Sequence, residues 1–208
     1  ALIQARKLTS NMVRMSNELA QDSEINFENL VIKQLASRLA RAEADLIVNG
    51  DGTGLQNVGL NLAVTLTQAA ASSTALTYED FIELKHKVDP AYRSGAMYAF
   101  NDNTLKALKL LKDLDGRPLW KESTRVGEPA TIDGTPYFID QEIADIGAGN
   151  KSVFFGNWNN FVLRRVSYLG LRRLSERYAE FDQKAFLSFM RFDTCVEDSK
   201  AIAALAHA

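Results

Sequence analysis

The sequence predicts an α+β fold, and three observations carry that reading. One long stretch, Phe27 to Val48, repeats apolar residues at three- and four-residue steps. At least seven further apolar runs are too short for ordinary helices and are separated by turn residues. The order of the two kinds shows no steady strand–helix alternation, so a parallel α/β sheet is disfavoured.

Bulk properties bound the class. With 208 residues the chain can build one large domain or two smaller ones sharing a core. Its 46% apolar and 24% charged residues are those of an ordinary globular protein. A chain whose main work is gripping phosphates carries a large positive excess, whereas this one has a formal net charge of -2. Cys195 is the sole cysteine, which excludes an intrachain disulfide or a cysteine-rich zinc site and suits a reducing cytoplasm. His86 and His207 stand far apart with no histidine-ligand spacing, so no metal and no cofactor is expected. No apolar run reaches the roughly 18 residues of a membrane span. Ala1–Ala20 interleaves Arg6, Lys7, Arg14 and Glu18 with apolar residues, unlike a signal peptide. Without an initiator Met the chain reads as trimmed, with a portion expected upstream of Ala1.

Taken in order, Leu8–Leu19 alternates over short range and reads as extended. The long helix follows, its stripe formed by Phe27, Leu30, Val31, Leu35, Leu39, Ala42 and Leu46. Asn26 is placed as N-cap, Glu28 in the first turn, and Gly50 at the end. At 1.5 Å per residue it would be about 33 Å long. Asn61–Ala75 is small and uncharged, a strand and then a linker at a domain boundary. Thr77 caps a short helix through Phe81, Leu84 and Val88 that stops at Pro90. Ala96–Phe100 reads as a buried strand, and Asn101 or Asp102 caps a helix over Thr104–Leu111, before a turn at Asp115–Pro118. Strands are expected at Tyr137–Ile139, Val153–Gly156, Phe161–Val166, Leu171–Tyr178 and Phe186–Phe192, with Ala201–Ala206 as an edge strand.

The run Gly50, Asp51, Gly52, Thr53, Gly54 suggests a phosphate loop, but it follows a helix and no lysine comes next. A tight turn closing the helix is the simpler reading, its glycines permitting positive φ. The acid pairs Glu43/Asp45, Glu79/Asp80 and Glu197/Asp198 do not converge on one substrate, since adjacent helix positions point about 100° apart, and they read as solvated faces. Ser16, Ser123 or Ser167 as nucleophile would need a histidine, and the internal His86 sits in a lysine-flanked surface stretch. No catalytic constellation emerges. Arg164, Arg165, Arg172, Arg173 and Arg177 concentrate basic charge in strand-like sequence, either as solvated positions, as ion pairs at subunit contacts or as sequence-blind contacts with DNA.

Six segments, in order, give a family resemblance. They are Ser16–Ser23 (Ser-x-Glu-Leu-x-x-Asp-Ser), Ala42–Asp45 running into Asn49–Gly54 (Asn-Gly-Asp-Gly-Thr-Gly), and Tyr92–Arg93 with Met97–Asn101. Then come Leu111–Leu119 (Leu-Lys-Asp with Gly-Arg-Pro-Leu), Ile132–Pro136 with Phe155–Asn157, and Phe189–Asp193. Together they resemble the major capsid proteins of tailed phages, phage or prophage encoded, which share the Hong Kong 97 fold.

The resemblance implies a "spine" helix over 27–48, a peripheral domain over 1–62 with a returning β-arm over 173–194, and an axial domain over 63–172 completed by a C-terminal strand over 195–208. It implies a coat protein of the virion, assembled in the host cytoplasm through pentamers and hexamers into a shell around double-stranded DNA. The implied partners are further copies of itself, a scaffold or maturation protease, the portal and packaged DNA, with no membrane. The family's N-terminal arm and extended loop, the latter carrying the lysine that some relatives crosslink, would lie mostly upstream of Ala1. Two alternatives stay open: an encapsulin-like cellular compartment of the same fold, and a small enzyme binding a phosphorylated ligand at Gly50–Gly54.

Overall fold

The structure is a computed structural model that describes residues 4–22, 27–54, 56–112, 131–166 and 170–208. It is α+β. In chain order the elements are β1 (Arg6–Thr9), β2 (Val13–Ser16), α1 (Asn17–Asp22), α2 (Phe27–Asn49), α3 (Leu60–Ala63), β3 (Thr67–Ala69) and α4 (Tyr78–Lys87). There follow β4 (Met97–Phe100), α5 (Asp102–Lys109), β5 (Thr131–Ile132), β6 (Thr135–Ile139), β7 (Lys151–Gly156), β8 (Phe161–Arg165), β9 (Gly170–Leu174), β10 (Gln183–Val196) and β11 (Ile202–Ala206). The chain divides into two compact units, Ala1–Gly59 with Leu163–Thr194 and Leu60–Val162 with Cys195–Ala208. The second passage from one unit to the other thus falls at Leu163, where the sequence suggested 173, because β8 already pairs with β10.

In the first unit the 14-residue β10 is the organising strand. Along one edge it pairs antiparallel with β1 (Leu8 opposite Met190) and then β2 (Met15 opposite Lys184). β8 and β9 also pair with β10, Arg172 of β9 lying opposite Leu187. Strand residues alternate faces, so Val13, Met15 and Phe186 share one face, and there Phe27, Val31 and Leu35 of α2 pack on them. The 23 residues of α2 span about 34 Å. Its buried positions are Leu35, Leu39, Glu43 and Val48, while Leu30 is exposed. The stripe follows four-residue steps from Phe27, and Leu30 falls off it.

In the second unit, strands run in the order β3-β11-β7-β4-β6-β5, with β11 antiparallel to β7 and parallel to β3. Packed with this sheet, α4 and α5 contribute Phe81, Leu84, Leu105 and Leu108 to a core shared with Tyr98, Phe100, Val153, Phe155, Ala203 and Leu205. Thr77 caps α4 through a reciprocal capping box with Asp80, and Asn101 caps α5 by accepting from the Asn103 N–H. Asp133 and Gly134, both with positive φ, form the two-residue turn between β5 and β6.

Four expectations change. β11 is interior, since β3 covers its far edge; Ile202–Leu205 are buried without alternation, which suits a strand covered on both faces. Leu8–Leu19 is two strands followed by α1, which Ser16 starts by accepting from the Leu19 N–H at 3.3 Å. The extended run from Asn61 begins as α3 instead, and Leu171–Tyr178 is strand only to Leu174. The Asn26 cap and the Asp115–Pro118 turn lie outside the described residues.

Candidate functional site

The turn after α2 is closed upon itself. The Gly50 N–H completes the helix on the Leu46 carbonyl, the Gly52 N–H bonds the Asn57 carbonyl, and the Gly59 N–H bonds the Gly50 carbonyl. Asp51 accepts from the Thr53 N–H and hydroxyl, each at 2.8 Å, which with Arg6 holds its carboxyl below the usual range. Arg6 donates to the carbonyls of Gly52 and Gly54. The left-handed backbone favours glycine at Gly52 (φ 71°) and Gly54 (φ 56°). At Gly50 glycine is required by close approach: a Cβ there would stand 2.4 Å from the Asn57 carbonyl oxygen. Asn57 then ties the turn to β10, donating to the Leu46 carbonyl and to Thr194 Oγ1 at 2.6 Å. With the N–H groups of Gly50, Gly52 and Thr53 spent inside the turn, little remains to cradle a phosphate. The arrangement is an anchor joining a helix end to a strand.

The basic residues do not form one patch. In β9, Arg173 lies opposite Phe186 on the helix-covered face and meets Glu28 of α2 at 3.4 Å. Lys184 also approaches Glu28, at 3.9 Å. Arg165 donates to Glu43 at 2.6 Å, and Glu43 is 7% exposed. Glu43 is therefore a buried partner of the β-strands and not a solvated acid, which corrects the sequence reading. Arg164 is exposed and has a partner of its own. Arg172 turns to the opposite face from Arg173, with its guanidinium 5.4 Å from the Phe189 ring centroid. Arg177 lies 5.7 Å from the Tyr178 ring centroid. Strand alternation thus splits the cluster into residues that clamp α2 and residues that face away from it.

Two buried polar centres escaped the sequence reading. Asp80 accepts from the N–H groups of Ala71 and Thr77 as well as the Thr77 hydroxyl. Its place in the first turn after Thr77 was legible in the sequence, but the bond to Ala71, which pins the loop before α4, was not. His207 bonds the Ser152 hydroxyl through Nε2 at 2.6 Å and the Ser72 carbonyl through Nδ1 at 2.8 Å. A serine–histidine contact invites comparison with a nucleophile and its base, but Ser152 is 0% exposed and His207 2%, so no substrate reaches them. His86 is exposed and Ser16 is the α1 cap, while Ser123 and Ser167 lie outside the described residues. Among the described residues no three His, Cys, Asp or Glu side chains gather as a metal site, and no helix is long and apolar enough to cross a membrane.

The model of the phage capsid family matches residues 2–206. The capsid of an empty GTA particle, solved with C5 symmetry, superposes with a TM-score of 0.89 at 26% identity, over 99% of this chain and 74% of that one. The capsid of the native GTA particle gives 0.88 at 26%, over 99% and 73%. The structure from Mycobacterium phage Adephagia gives 0.73 at 11%, over 98% and 72%, a likeness of fold. No curated protein matches the chain.

Proposed function

Because this chain belongs to the phage capsid family and is a structural, non-enzymatic shell protein of the Hong Kong 97 fold, we propose that it self-assembles through pentamers and hexamers into an icosahedral shell around phage double-stranded DNA. The observation that carries the reading is the match to the GTA capsid, 0.89 in TM-score over 99% of the chain at 26% identity. A particle with C5 symmetry places five copies about an axis, and a chain of the same fold is suited to the same closure. The unit containing α2 and the β10 sheet acts as the peripheral domain, and the unit containing the six-stranded sheet as the axial domain. The glycine turn fixes the end of the spine helix, and assembly takes place in the host cytoplasm with a scaffold or maturation protease and a portal.

Negative-stain electron microscopy of the full-length gene product, expressed with its neighbouring genes, tests this. Closed shells, or rings of five and six subunits, are the expected outcome. Uniformly monomeric protein would overturn the assembly reading.

A further inference from the structure

Within the unit built on β10, one sheet face has no carboxylate partner among the described residues. On β10, residues alternate between the face packed on α2 and an open face, and the strand register fixes which neighbours share each. Lys7 lies opposite Arg191, Arg14 opposite Ala185 and Arg172 opposite Leu187, so all four basic residues share the open face with Leu187 and Phe189. The Phe189 ring has Lys7 Nζ at 4.6 Å and the Arg172 guanidinium at 5.4 Å from its centroid. It lies against Gly170, where a Cβ would come within 3.0 Å of it. Tyr178 is flanked by two cations in the same way, with Arg14 at 5.4 Å and Arg177 at 5.7 Å. Lys7, Arg14, Arg172, Arg177 and Arg191 are all exposed. Among the described residues no carboxylate comes within ion-pair distance of any of them. Lys7 and Arg191 are like charges directly opposed across two strands, an arrangement that disfavours the sheet on its own. The two rings offset only part of this, each offering a partial negative charge to two cations.

The remedy is an anion, and the charge distribution indicates where it comes from. The unit containing β10 has 13 basic and 11 acidic residues, whereas the other unit has 11 basic and 15 acidic. The chain therefore carries its own acidic complement in its other half. The face also mixes arginine with aromatic and leucine side chains, the composition of a protein interface core. A surface built for phosphates belongs to chains with an overall positive excess. We infer that the open face of the β10 sheet docks carboxylates of a second copy of this chain, presented by its acidic unit. This rests on the shell reading and specifies one contact within it.

Lys7 makes the contact testable, because it carries the one amine among these five cations and arginine does not react with an activated carboxylate. Particles assembled from a mixture of unlabelled and isotope-labelled full chain are treated with a water-soluble carbodiimide. The reagent activates a carboxylate, the Lys7 amine displaces it to form an amide, and the carbodiimide leaves as its urea. Mass spectrometry should find Lys7 joined to an aspartate or glutamate in mixed-label pairs, and Lys7→Arg should abolish them. In parallel, Arg172→Glu with Arg191→Glu should lower the assembled fraction about tenfold while the unassembled subunit melts as before. If that pair fails to fold, Arg172→Gln with Arg191→Gln should give a smaller loss of assembly in the same direction. Lys7 left unlinked, or linked only within one chain, overturns the inference. So does undiminished assembly of the folded variants, or exposure of Lys7 upon nuclease treatment of the particles, which would assign the face to nucleic acid. If the unaltered chain forms no particles at all, the shell reading itself has failed.

Discussion

The two units of this subunit are stabilised by different physics. The six-stranded unit surrounds a dense aromatic and aliphatic core, in which Tyr98 and Phe155 stand 4.6 Å apart and Phe81 meets Phe100 edge to face. The unit built on β10 packs one helix on one sheet face, around Met15, Leu35 and Phe186. It supplements that smaller core with ion pairs from α2 to the strands: Glu28 with Arg173 and Lys184, and Glu43 with Arg165. One unit is completed by its own apolar burial. The other carries exposed Lys7, Arg14, Arg172 and Arg191 on the sheet face away from α2.

The largest expected effect strikes the thinner core. Leu35 is 1% exposed between α2 and the sheet, so Leu35→Asp buries a charge with no partner. That costs several kcal/mol, comparable to the about 5–15 kcal/mol total stability of a domain. The variant should be insoluble or lack a cooperative melt; a soluble, cooperatively melting protein would show that this stripe is not core. The denser unit can be probed at Phe155, 1% exposed and in contact with Tyr98. Phe155→Ala should cost about 3–5 kcal/mol in urea denaturation, by lost burial and the cavity left behind. A loss under about 1 kcal/mol would mean that the core collapses freely around the gap.

The charged clamps should matter less. Arg165 is 56% exposed in its side chain, so solvent screens its pairing with Glu43 even though Glu43 itself is covered. Glu43→Gln should cost about 1 kcal/mol, and the difference from wild type should shrink as salt is raised toward about 1 M. A loss above about 3 kcal/mol, unaffected by salt, would instead mark a fully desolvated pair. That outcome would sharpen the contrast between the units, with charge replacing packing in the β10 unit.

The sequence made some of this legible, and physics explains the rest. The long helix could be read because its apolar residues recur within a single element, and the glycine turn because tight backbone geometry demands particular residues. The interior position of β11 could not be read, because strand order depends on pairings between distant segments. The division of the arginines was hidden for the same reason: Arg172 and Arg173 are adjacent in sequence, and only the register with Leu187 and Phe186 assigns them to opposite faces. Glu43 and Asp80 read as solvated acids because paired helix positions diverge, yet that same divergence turns one acid of each pair inward. His207 was set aside for its terminal position, although β11 carries it into the sheet beside Ser152.

The smallest effect concerns the turn, where the two readings of the glycine run diverge. Asp51 is held below the usual carboxylate range by the Thr53 N–H, the Thr53 hydroxyl and Arg6. A carboxyl whose folded value is depressed stabilises the fold fully above its unfolded value, near 3.8. That contribution is lost as pH falls through the lower folded value. Asp51→Ala should therefore melt slightly below wild type at pH 7, and the two melting curves should converge as the pH is taken below 3.8. Because the carboxylate is exposed, the gap at neutral pH should be smaller than that of Glu43→Gln. Nucleotides or inorganic phosphate should shift neither melting temperature, since the N–H groups a phosphate would use already bond inside the turn. A saturable shift with phosphate in wild type that disappears in Asp51→Ala would instead make the turn a binding loop, and the helix end would then have a role beyond anchoring β10.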